Sequence, residues 1–235
     1  MRARRLFAFA WKSVAVGAAA TAAGYLGWVG LAWSRYGHAA PASGKAADPL
    51  LDQFMPVYDV VERHAIAVSA PPAVTFAAAG DADLEHSRII RSIFRTRAAV
   101  LGAGDAEASL PRGLLAKTQA LGWGVLATVR GREVVVGAVT QPWLGDVVFR
   151  ALPPAEFAAF DEPGFVKIAW TLRADPDGDR RSIFRTETRV IATDPVARAR
   201  FRWYWARFSP GIAVIRRLML GPVKAEAERR ARQAA

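Results

Sequence analysis

The clearest hydrophobic pattern lies at the C-terminal end of the chain, in Asp194–Arg232. Large apolar residues recur there at helical spacing, and they are Phe201, Tyr204, Trp205, Phe208, Ile212, Ile215, Leu218 and Met219. Asp194 is a suitable N-cap, and Pro195 takes the first helical position, where its missing N–H costs nothing. The pattern predicts one long amphipathic helix, which Pro210-Gly211 is expected to bend or break.

Alternating and β-rich segments fill the middle of the chain. Strands are predicted for Val57–Val68, Trp123–Val129, Glu133–Val139, Phe165–Arg173 and Arg181–Thr193, with a short sixth for Asp146–Arg150. Helices are predicted for Ala73–Ala79, Leu84–Leu101 and, as a short helix or turn, Pro153–Phe160. The tight turn Arg130-Gly131-Arg132 joins two of the strands, and such hairpins favour antiparallel pairing. A long amphipathic helix after several strands needs a sheet to pack on.

The N-terminal segment is predicted to span a membrane. Ser13–Trp33 is a run of 21 uncharged residues, and about 20 residues cross a bilayer. Trp11, Trp28 and Trp33 lie near its ends, where amphipathic rings prefer the membrane interface. A cleaved signal peptide is the alternative, but the run is longer than export signals usually are, which favours a retained anchor.

Three segments are predicted on this basis: a membrane anchor over 1–36, a flexible linker over 37–56 and a folded domain over 57–235. Basic residues precede the span in larger number than they follow it, so the N-terminus is expected in the cytoplasm. The expected location is therefore the inner membrane of a bacterium, in a single pass, with the domain on the outer or periplasmic side. The expected partners are the lipid bilayer and an apolar small molecule.

The composition narrows the function classes. The chain has 235 residues, enough for one domain and an appendage, and no cysteine, which excludes disulfides and thiolate metal sites. Its net charge of +11 lies in the two ends, because residues 46–194 are slightly acidic. A nucleic-acid partner is not expected, since such proteins carry a basic central surface. The basic chain ends favour binding to anionic lipid headgroups. The arginine-rich and alanine-rich composition typical of a GC-rich bacterium explains the excess of basic residues equally well.

Two stretches resemble a known superfamily. VERHAIAVSAPPAVTFAAA, from Val61, looks like the first strand and following helix of the START and polyketide-cyclase-like (SRPBCC) proteins. SIFRTETRVIATDPVARARFRWYWARFSPGIAVIRR, from Ser182, is similar to uncharacterised bacterial members. The resemblance covers about Val57 to Arg232 and implies an α+β helix-grip fold, in which a curved antiparallel sheet wraps a long C-terminal helix around an apolar cavity. An N-terminal transmembrane helix is a departure from the basic family fold.

Aromatic residues and one strand face are the candidates for lining such a cavity. These residues are Trp123, Trp143, Trp170, Phe184, Thr186, Thr188, Phe201, Tyr204, Trp205 and Phe208. Plain core packing is the favoured explanation for each aromatic ring, since a stripe on a buried helix needs no ligand to explain it. Arg185, Glu187 and Arg189 share the opposite strand face, either as an exposed salt ladder or as polar anchors for a ligand head.

Few residues show a pattern typical of catalysis or of metal or cofactor binding. Glu62 and His64 share a strand face and could form an acid–base pair, with Glu187 as a further carboxylate. The histidine spacing fits no metal motif, and no nucleophile elbow, phosphate loop or dinucleotide fingerprint occurs, so no metal or cofactor is expected.

Three functions follow as hypotheses. The first is a membrane-anchored domain that binds or carries an apolar or lipid-like molecule in an internal cavity. The second is a cyclase-like or hydrolase-like enzyme that uses a cavity carboxylate or histidine. The third is a non-catalytic assembly or stress protein at a membrane surface. In the first, Val196–Phe208 closes the cavity, and the basic Ile212–Arg232 is expected to extend past the sheet.

Overall fold

The computed structural model describes residues 2–83, 87–102 and 111–234, without the side chains of residues 2–18, Arg88 and Phe94. Its helices are α1 (Arg2–Arg35), α2 (Pro49–Asp52), α3 (Pro72–Gly80), α4 (Arg88–Leu101), α5 (Leu114–Ala120), α6 (Pro154–Ala159) and α7 (Pro195–Gln233). Its strands are β1 (Val60–Val68), β2 (Gly124–Val129), β3 (Glu133–Thr140), β4 (Val166–Pro176) and β5 (Ser182–Ala192). The predicted helix start at Leu84, His86 and most of the loop before Gly113 lie outside the described residues.

The five strands form one sheet in the order β1-β5-β4-β3-β2, and every neighbouring pair is antiparallel. This confirms the predicted α+β class with an antiparallel sheet and a long C-terminal helix, an arrangement that fits the helix grip. The predicted strand Asp146–Arg150 is wrong. Only Arg150 pairs with the sheet, through two backbone hydrogen bonds of 3.0 Å with Val139.

The two faces of the sheet are covered by different parts of the chain. The face that packs on α7, here called the inner face, carries Trp170, Leu172 and Phe184. The opposite outer face carries Val135 and Ala169, and it packs on α2 and α6. Burial of both faces explains why all eight residues of β3 are buried, charged Glu133 included.

Helix α7 is continuous, so the predicted break at Pro210-Gly211 does not occur. Asp194 caps its first turn by accepting hydrogen bonds from the backbone N–H of Val196 and Ala197. Pro210 and Pro222 both lie inside the helix. Each proline removes one helical hydrogen bond, but buried residues on both sides of Pro210 hold the helix against the rest of the protein.

The second half of α7 does not extend past the sheet, contrary to the prediction for Ile212–Arg232. Met219, Val223 and Ala227 are buried in the same core as the inner face of the sheet. Further along, the Glu228 carboxylate accepts a hydrogen bond of 2.9 Å from the backbone N–H of Ser69. The apolar positions of this half, rather than its basic ones, determine where it packs.

The segment predicted as a flexible linker, 37–56, packs on the outer face of the sheet. Asp48 caps α2 by accepting a hydrogen bond of 2.9 Å from the N–H of Leu51. Leu51 and Met55 are fully buried, and Arg173 donates a hydrogen bond of 2.7 Å to the carbonyl of Ala47. Its alanine, proline and glycine content suggested flexibility, but two buried apolar side chains are enough to dock it.

The end of α1 packs against α7. The indole N–H of Trp28 donates to Ser209 Oγ at 3.1 Å, and the guanidinium of Arg202 donates to the carbonyl of Trp33 at 2.9 Å. Part of the predicted span Ser13–Trp33 falls on residues whose side chains lie outside the described set. Among the described residues, no helix has both the length and the apolar character needed to cross a bilayer.

Candidate functional site

An apolar cavity of about 290 Å³ lies between α7, α4 and the inner face of the sheet. It is lined by Ile93, Arg97, Trp123, Pro142, Val147, Phe149, Ile168, Thr188, Val190, Phe201, Tyr204, Trp205, Phe208, Ile212 and Ile215. The polar side chains of this lining are Arg97, Thr188 and the hydroxyl of Tyr204. A cavity of this volume is close to the lower end of the range for small-molecule sites.

Helix α7 forms one wall of the cavity because of its residue spacing. Phe201, Tyr204, Trp205 and Phe208 are three or four residues apart, so they share one helix face, which Ile212 and Ile215 continue. The rings contact one another, with centroids 5.9 Å apart for Phe201 and Trp205 and 4.9 Å apart for Tyr204 and Phe208. This cluster gives the wall a fixed shape.

Helix α4 closes the cavity on the side away from the sheet. Ile93 and Arg97, four residues apart and therefore on one helix face, both line it. Arg97 Nε donates to the Tyr204 hydroxyl at 3.3 Å, and its Nη2 donates to the carbonyl of Pro142 at 3.1 Å. One guanidinium thus joins three of the segments that enclose the cavity.

Six of the ten residues expected to line a cavity do so in the structure. They are Trp123, Thr188, Phe201, Tyr204, Trp205 and Phe208. Of the other four, Trp170 and Phe184 belong to the buried core around Leu172. Trp143 packs against the core around Phe201, and Thr186 accepts a hydrogen bond from Arg216.

Several lining residues were missed by sequence reasoning. Ile168 and Val190 lie on the same strand faces as Trp170 and Thr188, so strand alternation could have identified them. Ile93 was visible as an apolar position of a predicted helix. Pro142, Val147 and Phe149 come from an irregular segment, and no periodic signal marks them. Phe149 reaches the cavity by packing on Trp123, with centroids 4.8 Å apart.

Thr188 is the polar residue of the cavity floor. It lies on β5, it is only 7% exposed, and its cross-strand neighbours are Glu62 on β1 and Trp170 on β4. Its hydroxyl Oγ1 is buried and finds no hydrogen-bond partner among the residues that the structure describes. A buried hydroxyl in that state is unusual, because most such groups are paired.

A polar cluster lies beside the cavity, on the same face of the sheet. His64 Nε2 is 3.4 Å from Glu62 Oε2, and Arg216 Nη1 donates to Thr186 Oγ1 at 2.7 Å. Burial lowers the pKa of Arg216 to about 10, and the nearby Glu62 carboxylate opposes that shift. The guanidinium therefore remains charged at neutral pH. Neither Glu62 nor His64 is part of the cavity lining.

Glu187 lies on the opposite face of the sheet from Glu62 and His64. It accepts a hydrogen bond of 2.7 Å from Arg189 Nε, and its other oxygen is 3.0 Å from Arg63 Nε. Arg189, 1% exposed, also donates to the carbonyl of Met55 at 2.7 Å. The three candidate catalytic groups therefore do not converge, and Glu187 holds the segment before β1 to the outer face.

A smaller cavity of about 100 Å³ lies mainly on that outer face, where it is lined by Ala46, Asp48, Arg63, Ala65, Thr171, Arg173, Arg185 and Glu187. His64 and Thr186, which belong to the inner face, also border it. Its arginines already have carboxylate partners. Asp175 accepts hydrogen bonds of 2.7 Å from Arg173 and 3.0 Å from Arg185, for example. Burial, together with the neighbouring Asp48 carboxylate, raises the pKa of Glu133 to about 8. This region is a salt-bridge network that fixes the segment 44–58.

In the ranges 2–83, 87–102 and 111–234, no group of histidine and carboxylate side chains is arranged to hold a metal ion. The cavity wall offers aromatic and aliphatic surface and one arginine beside a tyrosine hydroxyl.

No protein-family model matches the chain, and no curated protein matches it. Among solved structures, a hypothetical protein from Helicobacter pylori aligns at 7% identity and a TM-score of 0.39, covering 80% of this chain and 99% of that one. The ZhuI aromatase/cyclase from Streptomyces sp. R1128 aligns at 16% identity and a TM-score of 0.28, covering 75% and 98% respectively. Norcoclaurine synthase from Thalictrum flavum aligns at 11% identity and a TM-score of 0.23, covering 74% and 97%. All three TM-scores are below 0.5, so the description of the fold rests on the strand order and helix placement given above.

Proposed function

We propose that this protein binds a small apolar or lipid-like molecule in the cavity between α7, α4 and the inner face of the sheet. The observation that carries the proposal is the cavity itself, about 290 Å³ of space walled almost entirely by aromatic and aliphatic side chains. Protein interiors are normally packed without voids larger than a water molecule. A concave site lined in this way favours apolar molecules.

The wall is built in a way that suits a ligand. The rings on α7 are held by one another and by Arg97, so they do not collapse into the space between the helix and the sheet. Binding then requires little ordering of the protein, and this preorganisation favours affinity. The contribution of the ligand is mainly the apolar surface that it removes from water, worth about 25 cal/mol per Å².

The enzyme hypothesis has weaker support. Glu62 and His64 form a pair on the inner face but do not line the cavity, and Glu187 lies across the sheet from both. A general acid or base has to reach the reacting atom within hydrogen-bond distance. The hypothesis of a surface helix on anionic lipid is weakened too, because the second half of α7 is buried by its apolar positions.

We further propose that the chain is tethered to a membrane by its N-terminal helix. Support comes from the uncharged run that begins at Ser13 and from the basic residues that precede it. Because Tyr25 and Trp28 contact α7, the proposed membrane contact uses the face of α1 turned away from α7, where Leu26 is 66% exposed. Alkaline carbonate extraction of cells that express the full chain tests this. The tether predicts that the protein stays in the membrane pellet, and that the double substitution Ala22→Arg and Leu26→Arg releases it. Extraction of the unaltered chain into the soluble fraction would refute the tether.

The test of ligand binding uses the uncharged fluorescent probe N-phenyl-1-naphthylamine and the full chain, with the signal of protein-free detergent subtracted. Ile212→Trp places an indole in the cavity, and Val214→Trp places the same group on an exposed part of the same helix, where Val214 is 41% exposed. We expect saturable binding to the unaltered chain and to Val214→Trp, and at least tenfold weaker binding to Ile212→Trp. Equal binding by the two variants would overturn the proposal.

A further inference from the structure

We propose that the apolar ligand of the cavity ends in a carboxylate, and that this group pairs with Arg97 and with the hydroxyl of Tyr204. This inference rests on the proposed function, because it specifies the chemical class of the molecule that the cavity binds. It begins from Arg97, whose side chain is the charged one in the described lining of a mostly aromatic and aliphatic cavity.

The guanidinium of Arg97 lies between two residues that line the cavity. Its Nε donates to the Tyr204 hydroxyl at 3.3 Å, and its Nη2 donates to the carbonyls of Pro142 at 3.1 Å and Leu144 at 3.4 Å. Tyr204 lies on α7 and Pro142 in the loop after β3, and both border the cavity. A ligand that fills the cavity as far as these two residues therefore ends beside the guanidinium.

Two donors remain free at this place. Arg97 Nη1 takes no part in the three hydrogen bonds, and it is not one of the buried unpaired atoms of the described chain, so a ligand can approach it. The Tyr204 oxygen accepts the bond from Arg97, which leaves its O–H hydrogen to donate, and the described residues provide no acceptor for it. Both side chains are half-buried. Two neighbouring donors without acceptors suit a group with two acceptor oxygens, such as a carboxylate.

The charge of Arg97 favours an anionic partner over a neutral one. Its contacts in the described chain are with a hydroxyl and two carbonyls, so no carboxylate of that part of the chain balances its charge. Asp146, in the loop that Arg97 contacts, does not line the cavity. Hydrogen bonds from a guanidinium to a carboxylate are about twice as strong as those between neutral groups. A carboxylate is therefore a better partner than a hydroxyl at this position.

Helix α4 extends the positive charge around Arg97. Its sequence contains no acidic residue, and Arg91 and Arg95 are exposed on it. Because α4 closes one side of the cavity, these charges lie near the end of the ligand that reaches Arg97. A positive potential of this kind raises the local concentration of anions. It favours the entry of an anionic ligand without contacting it.

The test displaces N-phenyl-1-naphthylamine from the full chain with decanoate and with 1-decanol, which have equal numbers of carbon atoms and differ in the end group. At pH 8 decanoate is ionised, because carboxyl pKa values lie near about 4. All variants are measured in the same detergent at the same concentration, so partition into micelles cancels when variants are compared. The readout is the concentration of each compound that displaces half of the probe.

Arg97→Gln should raise this concentration about tenfold for decanoate, as the loss of a charged hydrogen bond allows, and leave it unchanged for 1-decanol. Arg97→Lys, which keeps the charge, should show a smaller loss. Tyr204→Phe leaves the guanidinium in place and removes the second donor, so it should weaken decanoate severalfold and 1-decanol not at all. The matched control is Arg95→Gln, on the same helix but exposed and outside the lining. It should change neither compound by more than about twofold.

A purely structural role for Arg97 gives a different result. If Arg97 serves only to hold α4 against α7, Arg97→Gln should weaken decanoate and 1-decanol equally, and the inference is then wrong. Unchanged displacement by 1-decanol shows that the cavity of a variant is intact. Loss of decanoate binding in Arg95→Gln as large as in Arg97→Gln would assign the effect to the charge of α4 and overturn the contact with Arg97.

The failures of the two proposals differ. If N-phenyl-1-naphthylamine binds but decanoate does not displace it, or displaces it equally well from the unaltered chain, Arg97→Gln and Tyr204→Phe, the ligand class is wrong and the binding function stands. If the probe itself fails to bind the unaltered chain, both proposals fall.

Discussion

Arg216 Nη1 donates a hydrogen bond of 2.7 Å to Thr186 Oγ1, and this contact joins the middle of α7 to strand β5. The guanidinium also lies over the ring of Trp170, 5.5 Å from its centroid. Burial lowers the pKa of Arg216 to about 10, against the nearby carboxylate of Glu62, so the group is charged at neutral pH. Arg216 is half-buried, so its guanidinium depends in part on these acceptors.

Thr186→Val is therefore expected to destabilise the fold. The change leaves a guanidinium N–H without its acceptor, at a cost of about 1–3 kcal/mol in the free energy of unfolding. Thr186→Ser keeps the hydroxyl, so its free energy of unfolding should be close to that of the unaltered chain. Urea unfolding of the three proteins measures the difference, and a Thr186→Val protein as stable as the unaltered chain would show that the contact contributes nothing.

Glu133 should make stability depend on pH. Burial and the neighbouring Asp48 carboxylate raise its pKa from 4.5 to about 8 in the folded chain. The folded protein thus keeps a proton that the unfolded chain releases. This contribution is complete below about pH 4.5 and is lost as the pH rises through about 8, at up to about 1.4 kcal/mol per pH unit.

Glu133→Gln removes this titration and keeps a hydrogen-bond donor beside Asp48. We expect the free energy of unfolding to fall between pH 5 and pH 8 more steeply for the unaltered chain than for Glu133→Gln. At pH 8 the variant should be the more stable protein. Urea unfolding at both pH values gives the comparison, and parallel pH profiles for the two proteins would contradict the assignment.

Tyr36 ties the end of the N-terminal segment to the domain. It is 5% exposed, and its hydroxyl donates to Asp59 Oδ2 at 3.3 Å. Its burial, the Asp59 carboxylate and that hydrogen bond raise the pKa of Tyr36 far above its usual value. Tyr36→Ala should cost about 3–5 kcal/mol, in the range of large buried aromatic residues.

Tyr25 is the matched control for this change. It lies on α1, it is 45% exposed, and its hydroxyl donates to the carbonyl of Arg207 at 3.0 Å. Tyr25→Ala should cost less than about 1 kcal/mol, as for most surface substitutions. Thermal unfolding distinguishes the two variants. If Tyr36→Ala and Tyr25→Ala lose equally little stability, the chain before Gly37 is not docked on α7.

Glu187 is expected to stabilise the fold and to take no part in ligand binding. Glu187→Ala leaves Arg189 without one of its two carboxylate partners in a position that is 1% exposed, and breaking such a buried pair costs about 3–5 kcal/mol. Binding of N-phenyl-1-naphthylamine should be unchanged, because Glu187 faces away from the cavity. Glu162→Ala, which breaks the exposed pair with Arg150, should change neither quantity by much. Loss of probe binding by folded Glu187→Ala would place the carboxylate in the ligand site.

Local patterns predicted the elements that carry strong periodicity. Alternation located β1, β4 and β5 to within a few residues, and the aromatic spacing of α7 identified four wall residues correctly as neighbours on one helix face. These features depend only on residues close in sequence. The hexamer RSIFRT begins at Arg91 in helix α4 and recurs at Arg181 leading into strand β5, and both copies lie in elements of the predicted type.

The remaining features depend on long-range packing. Pro210-Gly211 predicts a bend or a break in α7, and the break does not occur because buried residues on both sides keep the helix continuous. The composition of 37–56 predicts flexibility, whereas Leu51 and Met55 find buried positions on a sheet face that only the folded chain creates. Glu62 and Glu187 lie on opposite faces because Glu62 pairs with Thr188, a register that local alternation does not determine. Which face meets the cavity then depends on where α7 packs.

Native mass spectrometry of the full chain tests directly whether the cavity holds a ligand. The chain purified from cells should release a bound apolar molecule, and Ile212→Trp should carry much less of it than Val214→Trp. A protein that carries no molecule, or carries the same amount in both variants, would contradict a ligand in the space between α7 and the sheet.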